Sequence, residues 1–200
     1  MTQLNQELKT KLFSQIEATG MEKSLLPFAE TLIDETIKQL EDINPISQPL
    51  SANNSALLIG DWELIYASNG TIITRPIAEI TNVLGLGIKV TKIWQTLDNF
   101  NGEIRANNQA LIDLALVGEY RLSAKGIWRS HADKQTATVT FNSFTARAIK
   151  FFGQSNWSLP KLKIPVLDFL RNEALWITSY LDEDMRIGRG ATGNLFVFRR

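Results

Sequence analysis

The sequence predicts a mainly β (α+β) protein, an antiparallel β-barrel preceded by two N-terminal helices. Apolar residues recur at every third or fourth position over residues 1–43, and after residue 57 they alternate with polar residues in many short runs. The length of 200 residues and the apolar fraction of 44% suit one globular domain. We therefore expect a helical segment at 1–43 that packs on the barrel, a linker at 44–56 and a barrel domain at 57–200.

Two apolar stripes predict the helices. The first comprises Leu4, Leu8, Leu12 and Ile16 and stops at Thr19-Gly20. In the second helix Ser24 is the expected N-cap and Pro27 lies in the first turn. Its stripe comprises Leu25, Phe28, Leu32, Ile33, Ile37 and Leu40. Both stripes favour packing on the protein's own core, and a helix that binds a partner or a membrane surface is the alternative.

The strands are predicted from alternation between turn signals. The runs are 60–66, 88–97, 102–107, 110–117, 119–129, 136–147, 175–181, 185–189 and 195–199. Short strands at this spacing are typical of a sandwich or barrel rather than βαβ units. Residues 148–166 contain two prolines and predict a long apolar loop that covers a barrel end, borders an opening or packs down.

Composition excludes several classes of protein. The chain has no cysteine, which excludes disulfides, thiolate metal sites and a cysteine nucleophile. The 21 basic and 21 acidic residues give no net positive charge to attract nucleic acid. We find no signal peptide, no transit peptide and no apolar run of about 20 residues. The sequence therefore predicts a water-soluble, cytoplasmic protein whose membrane contacts are peripheral.

Catalytic motifs are poorly represented. His131 is the one histidine and lies in a predicted turn. Residues 188–193 match G-x-G-x-x-G, but too little chain follows for a dinucleotide-binding unit, so a glycine turn between strands is expected. The acidic run 182–184 predicts a solvated turn in which Asp184 pairs with Arg186 or Arg189. We predict no enzyme, no cofactor and no metal site.

Gly60-Asp61-Trp62 opens the first strand. Barrels of the lipocalin type commonly begin with Gly-x-Trp, where the glycine allows a tight entry and the indole closes the barrel floor. An arginine from the last strand often crosses that indole in a cation–π contact. Arg199 and Arg200 are available for it, with Arg189 as the alternative.

The barrel interior leaves two possibilities open. About eight strands can enclose either packed side chains or one small ligand. Polar residues that point inward near an opening would orient the head group of such a ligand. Candidates for this role are Gln95, Arg105, Thr138 and Arg147.

Two motifs resemble a known family. The closing stretch YLDEDMRIGRG (180–190) followed by GNLFVFR (193–199), and the opening LIGDWELIYAS (58–68), resemble the fibrillins, also called plastid lipid-associated proteins (PAP). The resemblance covers roughly residues 20–200. Gly188 stands where a serine is common, and Ala191-Thr192 replaces a more acidic turn. We interpret both departures as changes to the turn.

The resemblance implies a lipocalin-like fold and a non-enzymatic role in photosynthetic organisms. Fibrillins associate with thylakoids or lipid globules and are linked to carotenoids, prenylquinones, fatty acids and related lipids. The expected partners are thus a hydrophobic small molecule or lipid, a peripheral membrane or lipid-globule contact and a protein partner, with no nucleic acid. The alternative is a structural module that docks on thylakoids, on lipid globules or on a partner in quinone biosynthesis. We expect a cyanobacterial-type member.

The motifs also suggest site residues. The candidates for barrel lining or head-group contact are Trp62, Tyr66, Trp94, Arg105, Phe141, Arg147, Arg186 and Arg189. The structural signature comprises Gly60, Asp182, Asp184, Gly190, Gly193 and Asn194. Gly190 and Gly193 are expected at positive φ in a turn. Arg186 or Arg189 is the residue expected to point inward toward a carboxylate or polar head group.

Overall fold

The computed structural model describes residues 3–20, 24–25, 31–71, 88–115, 118–151, 162–164 and 174–200. The helices are α1 (Gln3–Thr19), α2 (Thr31–Asp42), a 3₁₀ turn (Ala52–Asn54) and α3 (Ser55–Leu58). The strands are β1 (Gly60–Ala67), β2 (Ile88–Phe100), β3 (Glu103–Leu114), β4 (Gly118–Ser130), β5 (Thr136–Phe151), β6 (Leu162–Ile164), β7 (Ala174–Leu181), β8 (Met185–Gly190) and β9 (Leu195–Arg199).

The strands close into an antiparallel barrel. Their order is β4-β3-β2-β1-β9-β8-β7-β5-β6, and an additional β4–β5 pairing joins the ends. Eight strands therefore form the ring, and the short β6 lies on β5 beside β7. The predicted mainly β fold with N-terminal helices is confirmed.

Two strand predictions were wrong in detail. The two runs predicted at 102–107 and 110–117 are not separate strands: β3 continues unbroken from Glu103 to Leu114, because its central asparagines bond across the sheet instead of making a turn. Ser123 Oγ donates to Asn107 Oδ1 at 2.7 Å, and Gln95 Nε2 donates to Asn108 Oδ1 at 2.6 Å. The predicted loop 148–166 contains the end of β5 and all of β6, an edge position that flanking prolines permit. The rest of that loop lies outside the described residues.

The first hydrophobic core fills the floor end of the barrel, where β1 begins and β9 ends. The segment 44–56, predicted as a linker, folds across this end. Leu50 and Leu58 are buried there, and the Leu50 amide donates to the Lys134 carbonyl at 2.8 Å. The segment therefore forms part of the barrel floor.

Arg200 fastens the floor. Its guanidinium carbon lies 4.4 Å from the ring centroid of Trp62, and its Nη2 donates to the carbonyls of Leu57 (2.7 Å) and Ile59 (2.8 Å). The indole of Trp62 donates to the Leu58 carbonyl at 2.8 Å. The predicted arginine–tryptophan contact is confirmed, and Arg200 is the residue that makes it.

A second core lies outside the barrel, between its wall and the helices. It joins residues of α1 and α2 to the outer faces of β1, β7, β8 and β9. Its buried members are Leu12, Ile16, Ile33, Ile37, Leu40, Tyr66, Tyr180, Met185, Ile187, Leu195 and Val197. Strands β8 and β9 are consequently covered on both faces, which explains why Leu195-Phe196-Val197-Phe198 in the closing motif is apolar at odd and even positions alike.

Bulges turn two tyrosines out of the barrel. The β1–β9 register shifts between Leu64 and Tyr66, and the β7–β8 register shifts between Thr178 and Tyr180. Each shift reverses the face of the residues that follow. Tyr66 was predicted to share a face with Trp62 but lies beneath α2, where its hydroxyl donates to Asp34 at 3.2 Å.

The barrel-facing side of α1 differs from the prediction. Leu12 and Ile16 are buried, but the other two buried positions are Asn5 and Lys9, and Leu4 is 54% exposed. In the second stripe, Leu32 is 64% exposed. Polar residues occupy the barrel-facing side of α1 because the barrel wall presents a polar cluster to them.

That cluster centres on the buried carboxylate of Asp182. Its Oδ2 accepts from Lys9 Nζ at 2.9 Å and from the Tyr180 hydroxyl at 2.6 Å, and its Oδ1 accepts from the amides of Asp184 and Met185. Burial alone would raise the pKa of Asp182, but hydrogen bonds led by that from Tyr180 outweigh it and lower the pKa. Lys9 also bonds Asp184, so the predicted pairing of Asp184 with Arg186 or Arg189 was wrong.

Gly188 lies within β8, and its α-carbon faces the barrel interior. A Cβ built there would lie 1.9 Å from Trp176 Cζ2, so the indole occupies the space of a side chain. The interpretation of Gly188 as a turn change was wrong, since it is paired in the strand with Thr178 and Phe196. Gly190 likewise closes β8 and is not among the glycines with positive φ, whereas Gly193 has φ +80° as expected.

Substitution Lys9→Met should destabilise the fold by about 2–4 kcal/mol, because it leaves the Asp182 carboxylate buried without its cation. A lowered pKa of Asp182 means that the stabilisation is present above its unfolded value of about 3.9 and is lost as pH falls through the folded value. Urea unfolding over a series of pH values should therefore show a destabilisation of Lys9→Met relative to wild type that is largest near pH 7 and shrinks as the pH falls below about 3.9. The exposed Lys11→Met on the same helix is the control, and an equal loss in both variants would contradict the role of the cluster.

Substitution Gly188→Ala should cost about 1–3 kcal/mol, since the new methyl group must displace the indole of Trp176. A double-mutant cycle with Trp176→Ala isolates this contact. The cost of Gly188→Ala should largely vanish in the Trp176→Ala background. An unchanged cost in that background would mean that the backbone at Gly188, rather than the indole, limits the position.

Candidate functional site

The strand β8 places one cation inside the barrel. Arg186 points inward and has 0% exposure. Its guanidinium carbon lies 4.3 Å from the ring centroid of Phe198, 5.1 Å from that of Trp62 and 5.7 Å from that of Trp128. These three rings form a box around the charge, and each contributes a cation–π attraction.

One hydrogen bond anchors this guanidinium. Arg186 Nη2 donates to Gln95 Oε1 at 2.5 Å. Gln95 is held in turn by Asn108, which accepts from its amide at 2.6 Å, and Asn108 Nδ2 lies 3.4 Å from the Ala124 carbonyl. A polar row on β2 and β3 thus fixes the orientation of the arginine within an otherwise apolar wall.

The remaining nitrogens of Arg186 have no such partner. Within the described part of the chain, Nε and Nη1 are buried and make no hydrogen bond, and no carboxylate lies at ion-pair distance. Burial lowers the pKa of Arg186 to about 9, and repulsion from Arg200 adds to the shift. The group still carries its charge at pH 7, so the interior holds an uncompensated cation.

Exposure of the inner wall differs between the two ends of the barrel. At the floor end Trp62, Leu97 and Trp128 are at most 2% exposed. Toward the other end burial is mixed: Val90 and Ile112 are buried, whereas five inner side chains on the same core are only partly buried. They are Leu114, Tyr120, Leu122, Phe141 and Phe196. The rings around Arg186 are therefore buried, and part of the wall toward the far end is partly exposed.

Two of the other candidates also belong to the interior. Trp62 forms the floor, and Phe141 packs on the inner core opposite Gly126. Arg186, Trp62 and Phe141, together with the predicted inward residue Gln95, are thus the candidate residues that the structure brings into the barrel.

The remaining candidates lie on the outer surface, so the structure does not support contact between them and an enclosed ligand. Trp94 lies between Lys92 and Arg121, whose charged groups are 5.9 Å and 5.7 Å from its ring centroid. Arg105 pairs with Asp98 at 2.6 Å, and Arg147 is exposed. Tyr66 is beneath α2, as described above. The alternation along β2–β5 places Trp94, Arg105 and Arg147 on the outer face of the barrel.

Arg189 also faces outward. It donates from Nε and Nη2 to the two carboxylate oxygens of Glu41 on α2, at 2.7 Å and 2.5 Å. This bond with Glu41 raises the pKa of Arg189. Of the two arginines proposed to point inward, Arg186 does so and Arg189 fastens a helix to the barrel.

The signature residues occupy structural positions. Gly60 has φ +130° and leaves room for Arg200, which a Cβ would approach to 3.6 Å. The buried Asn194 accepts from Asn69 at 2.7 Å, which ties the β8–β9 turn to the end of β1. Asp182 organises the β7–β8 turn, and Asp184 extends its cluster.

Sequence reasoning missed four residues around the cation: Asn108, Trp128, Trp176 and Phe198. Asn108 could have been found as the lone polar residue on the alternating face Ile104-Ala106-Asn108-Ala110-Ile112. The rings had no such signal. Trp128, Trp176 and Phe198 come from three separate strands, and only barrel closure brings them together.

Other features of the described residues offer weaker chemistry. A cavity of about 370 Å³ lies at the floor end, between residues 50–59 and the β2–β3 and β4–β5 turns, and the core residues Ile104 and Trp128 form part of its lining. His131 is exposed and lies 2.7 Å from Thr138 Oγ1. Among the described residues, no group of three or more His, Cys, Asp or Glu could hold a metal ion. None of the described helices has the length and apolar character needed to cross a membrane.

Comparison with known proteins agrees with this architecture. The PAP_fibrillin family model matches residues 6–199, nearly the whole chain. The chain belongs to the PAP/fibrillin family. Strand β8, which carries Arg186, thus lies within the matched region. The resemblance predicted from the opening and closing motifs is confirmed.

Curated relatives carry names that refer to plastid lipids and carotenoids. The chain is 28% identical over 226 aligned positions to the "Chromoplast-specific carotenoid-associated protein C2, chromoplastic" of an Oncidium hybrid cultivar, covering 96% of the chain and 68% of the relative. It is 29% identical to the "Probable plastid-lipid-associated protein 3, chloroplastic" of Arabidopsis thaliana, over 97% and 58%. With the "Probable plastid-lipid-associated protein 5, chloroplastic" of the same plant it shares 25% identity, over 55% and 50%.

The chain spans between half and about two thirds of the length of these relatives. No solved structure matches it at a significant level. Membership in the PAP/fibrillin family, together with the names of the relatives, supports an association with lipids in general.

Proposed function

We propose that this protein binds a small hydrophobic molecule inside the barrel, for storage or transport at photosynthetic membranes, and that it is not an enzyme. The ligand class is that of the family: a carotenoid, a prenylquinone, a fatty acid or a related lipid. The observation that carries the proposal is the inner wall, which is apolar, buried around Trp62 and Trp128, and partly exposed at several aromatic and aliphatic side chains toward the other end. Such a wall would accept an apolar tail, whose burial contributes about 25 cal/mol per Å².

The aromatic content of the wall supports this function. The rings of Trp128 and Trp176 lie 5.3 Å apart, and Trp176 lies 5.3 Å from Phe196. Planar, conjugated or acyl ligands pack well on such surfaces because aromatic side chains offer large rigid contact areas. The polar groups at Arg186 and Gln95 would fix the orientation of the ligand, with its head toward the floor.

Ligand content tests the proposal directly. Protein purified from a photosynthetic host should release a stoichiometric carotenoid, quinone or acyl lipid on organic extraction, with the matching mass shift in native mass spectrometry. Leu122→Trp should reduce uptake at least tenfold, since it fills the partly buried interior, whereas the neighbouring outward Ser123→Trp should leave uptake unchanged. A ligand-free protein that also takes up no such lipid in vitro would overturn the proposal.

The second candidate is a docking role on a lipid surface. The helices cover β1 and β7–β9, and the opposite outer wall carries a row of neighbouring positions across β2–β5. The row is Lys92, Leu111, Arg121 and Arg147. Its three cations are exposed, and none is within ion-pair distance of a described carboxylate. Trp94 lies beside it, a residue type enriched at membrane interfaces.

We propose that this row contacts the anionic surface of a thylakoid or lipid globule. Each cation near such a surface contributes about 1 kcal/mol. The double variant Lys92→Gln/Arg121→Gln should therefore weaken sedimentation with phosphatidylglycerol-containing vesicles about 10- to 30-fold, and high salt should do the same to the wild type. Arg105→Gln, on the same wall but paired with Asp98, is the control. Equal binding to pure phosphatidylcholine vesicles would contradict an electrostatic contact.

A further inference from the structure

We propose that the barrel selects ligands that end in a carboxylate, and that Arg186 is the residue that binds it. This inference rests on the proposed function and narrows it to the acids among the hydrophobic molecules. It starts from an imbalance of charge: a fully buried guanidinium faces three aromatic rings and one neutral amide, with no anion beside it among the described residues.

The hydrogen-bond count leads to the same conclusion. A guanidinium has five N–H donors, and Nε and Nη1, which carry three of them, are buried without an acceptor. Leaving such donors unsatisfied in an apolar interior costs free energy, and native proteins rarely tolerate it without a functional reason. A neutral ester or ether oxygen would satisfy one donor but leave the charge. A carboxylate satisfies two donors at once and neutralises the charge.

The surroundings limit the rest of the ligand. The rings of Trp62, Trp128 and Phe198 confine the guanidinium, and Gln95, held by Asn108, prevents it from turning away. Along β4, eight residues separate Trp128 from the partly buried Tyr120, about 26 Å at roughly 3.3 Å per residue. The acid therefore carries a long apolar tail that runs from the floor toward the end of the barrel where Tyr120 lies. Both a straight acyl chain and a polyene chain meet this description.

Matched ligands separate the head group from the tail. Equilibrium binding at pH 7.5 should be measured for palmitic acid, 1-hexadecanol and hexadecyl phosphate, and for retinoic acid against retinol. Wild type should prefer each acid over its alcohol about 10- to 100-fold, the effect of hydrogen bonds to a charged group. The pair with the larger preference identifies the tail as acyl or polyene. Tighter binding of hexadecyl phosphate than of palmitic acid would overturn the carboxylate assignment.

Substitution then assigns the preference to Arg186. Arg186→Met keeps the length of the side chain and removes the charge, so it should bind acid and alcohol equally. Its urea midpoint without ligand should equal or exceed that of wild type, because an uncompensated buried charge is lost. Arg186→Lys should retain part of the preference, and Arg199→Met, which removes an outward cation paired with Glu63 on the adjacent strand, should retain all of it.

The outcomes distinguish this inference from the function on which it rests. If wild type binds the acids and alcohols equally well, hydrophobic binding stands and the carboxylate assignment falls. If wild type binds none of the five compounds or any extracted pigment or lipid, the proposed function itself falls. If Arg186→Met keeps the preference for acids, another residue holds the head group and the inference is overturned.

Discussion

The two-sided burial of β8 and β9 is the constraint on which the rest of the structure depends. On one side these strands complete the barrel wall, and on the other they form the surface on which α1 and α2 pack. Every position must therefore fit an interior. The alternation along β8 sends Met185 and Ile187 to the helices and Arg186 and Gly188 to the barrel, so the two cores are built from interleaved residues of one short strand.

This arrangement places different polar chemistry on the two sides. On the helix side the charges are compensated: Lys9 meets Asp182, and Arg189 meets Glu41 in a bidentate pair. These contacts orient the helices, because removing either partner leaves an unpaired charge that is buried at Lys9 or Asp182 and partly buried at Arg189 or Glu41. On the barrel side Arg186 has aromatic rings and one amide as neighbours. The contrast supports the proposal that the interior cation binds a ligand, since Arg189 on the same strand shows how the protein compensates a charge that serves only packing.

Glycines and bulges in the strands determine which side chains face the core inside the barrel and which face the core beneath the helices. Gly188 makes room for Trp176, and so the indole can pack on Trp128 and Phe198, two of the rings around the cation. The bulges in β1 and β7 turn Tyr66 and Tyr180 outward. The Tyr66 hydroxyl bonds Asp34 on α2, and the Tyr180 hydroxyl bonds Asn5 on α1. Burial and the bond to Asp182 raise the pKa of Tyr180, which keeps it a neutral donor. Irregular strand pairing thus connects the helices to the barrel without opening the inner wall.

The sequence by itself determined the N-terminal helices followed by a mainly β region, the Gly-x-Trp floor and the family, because each rests on local periodicity or on a contiguous motif. Alternation along β8 also requires Arg186 and Arg189 to lie on opposite faces. Only the tertiary structure decided which face is the interior. Both faces of β8 are covered and each carries one arginine, and bulges elsewhere shift the register, so a pattern of period two gives no sign of the side on which the barrel closes. The same holds for Trp128, Trp176 and Phe198, which surround one site because closure of the sheet joins strands that are distant in the chain.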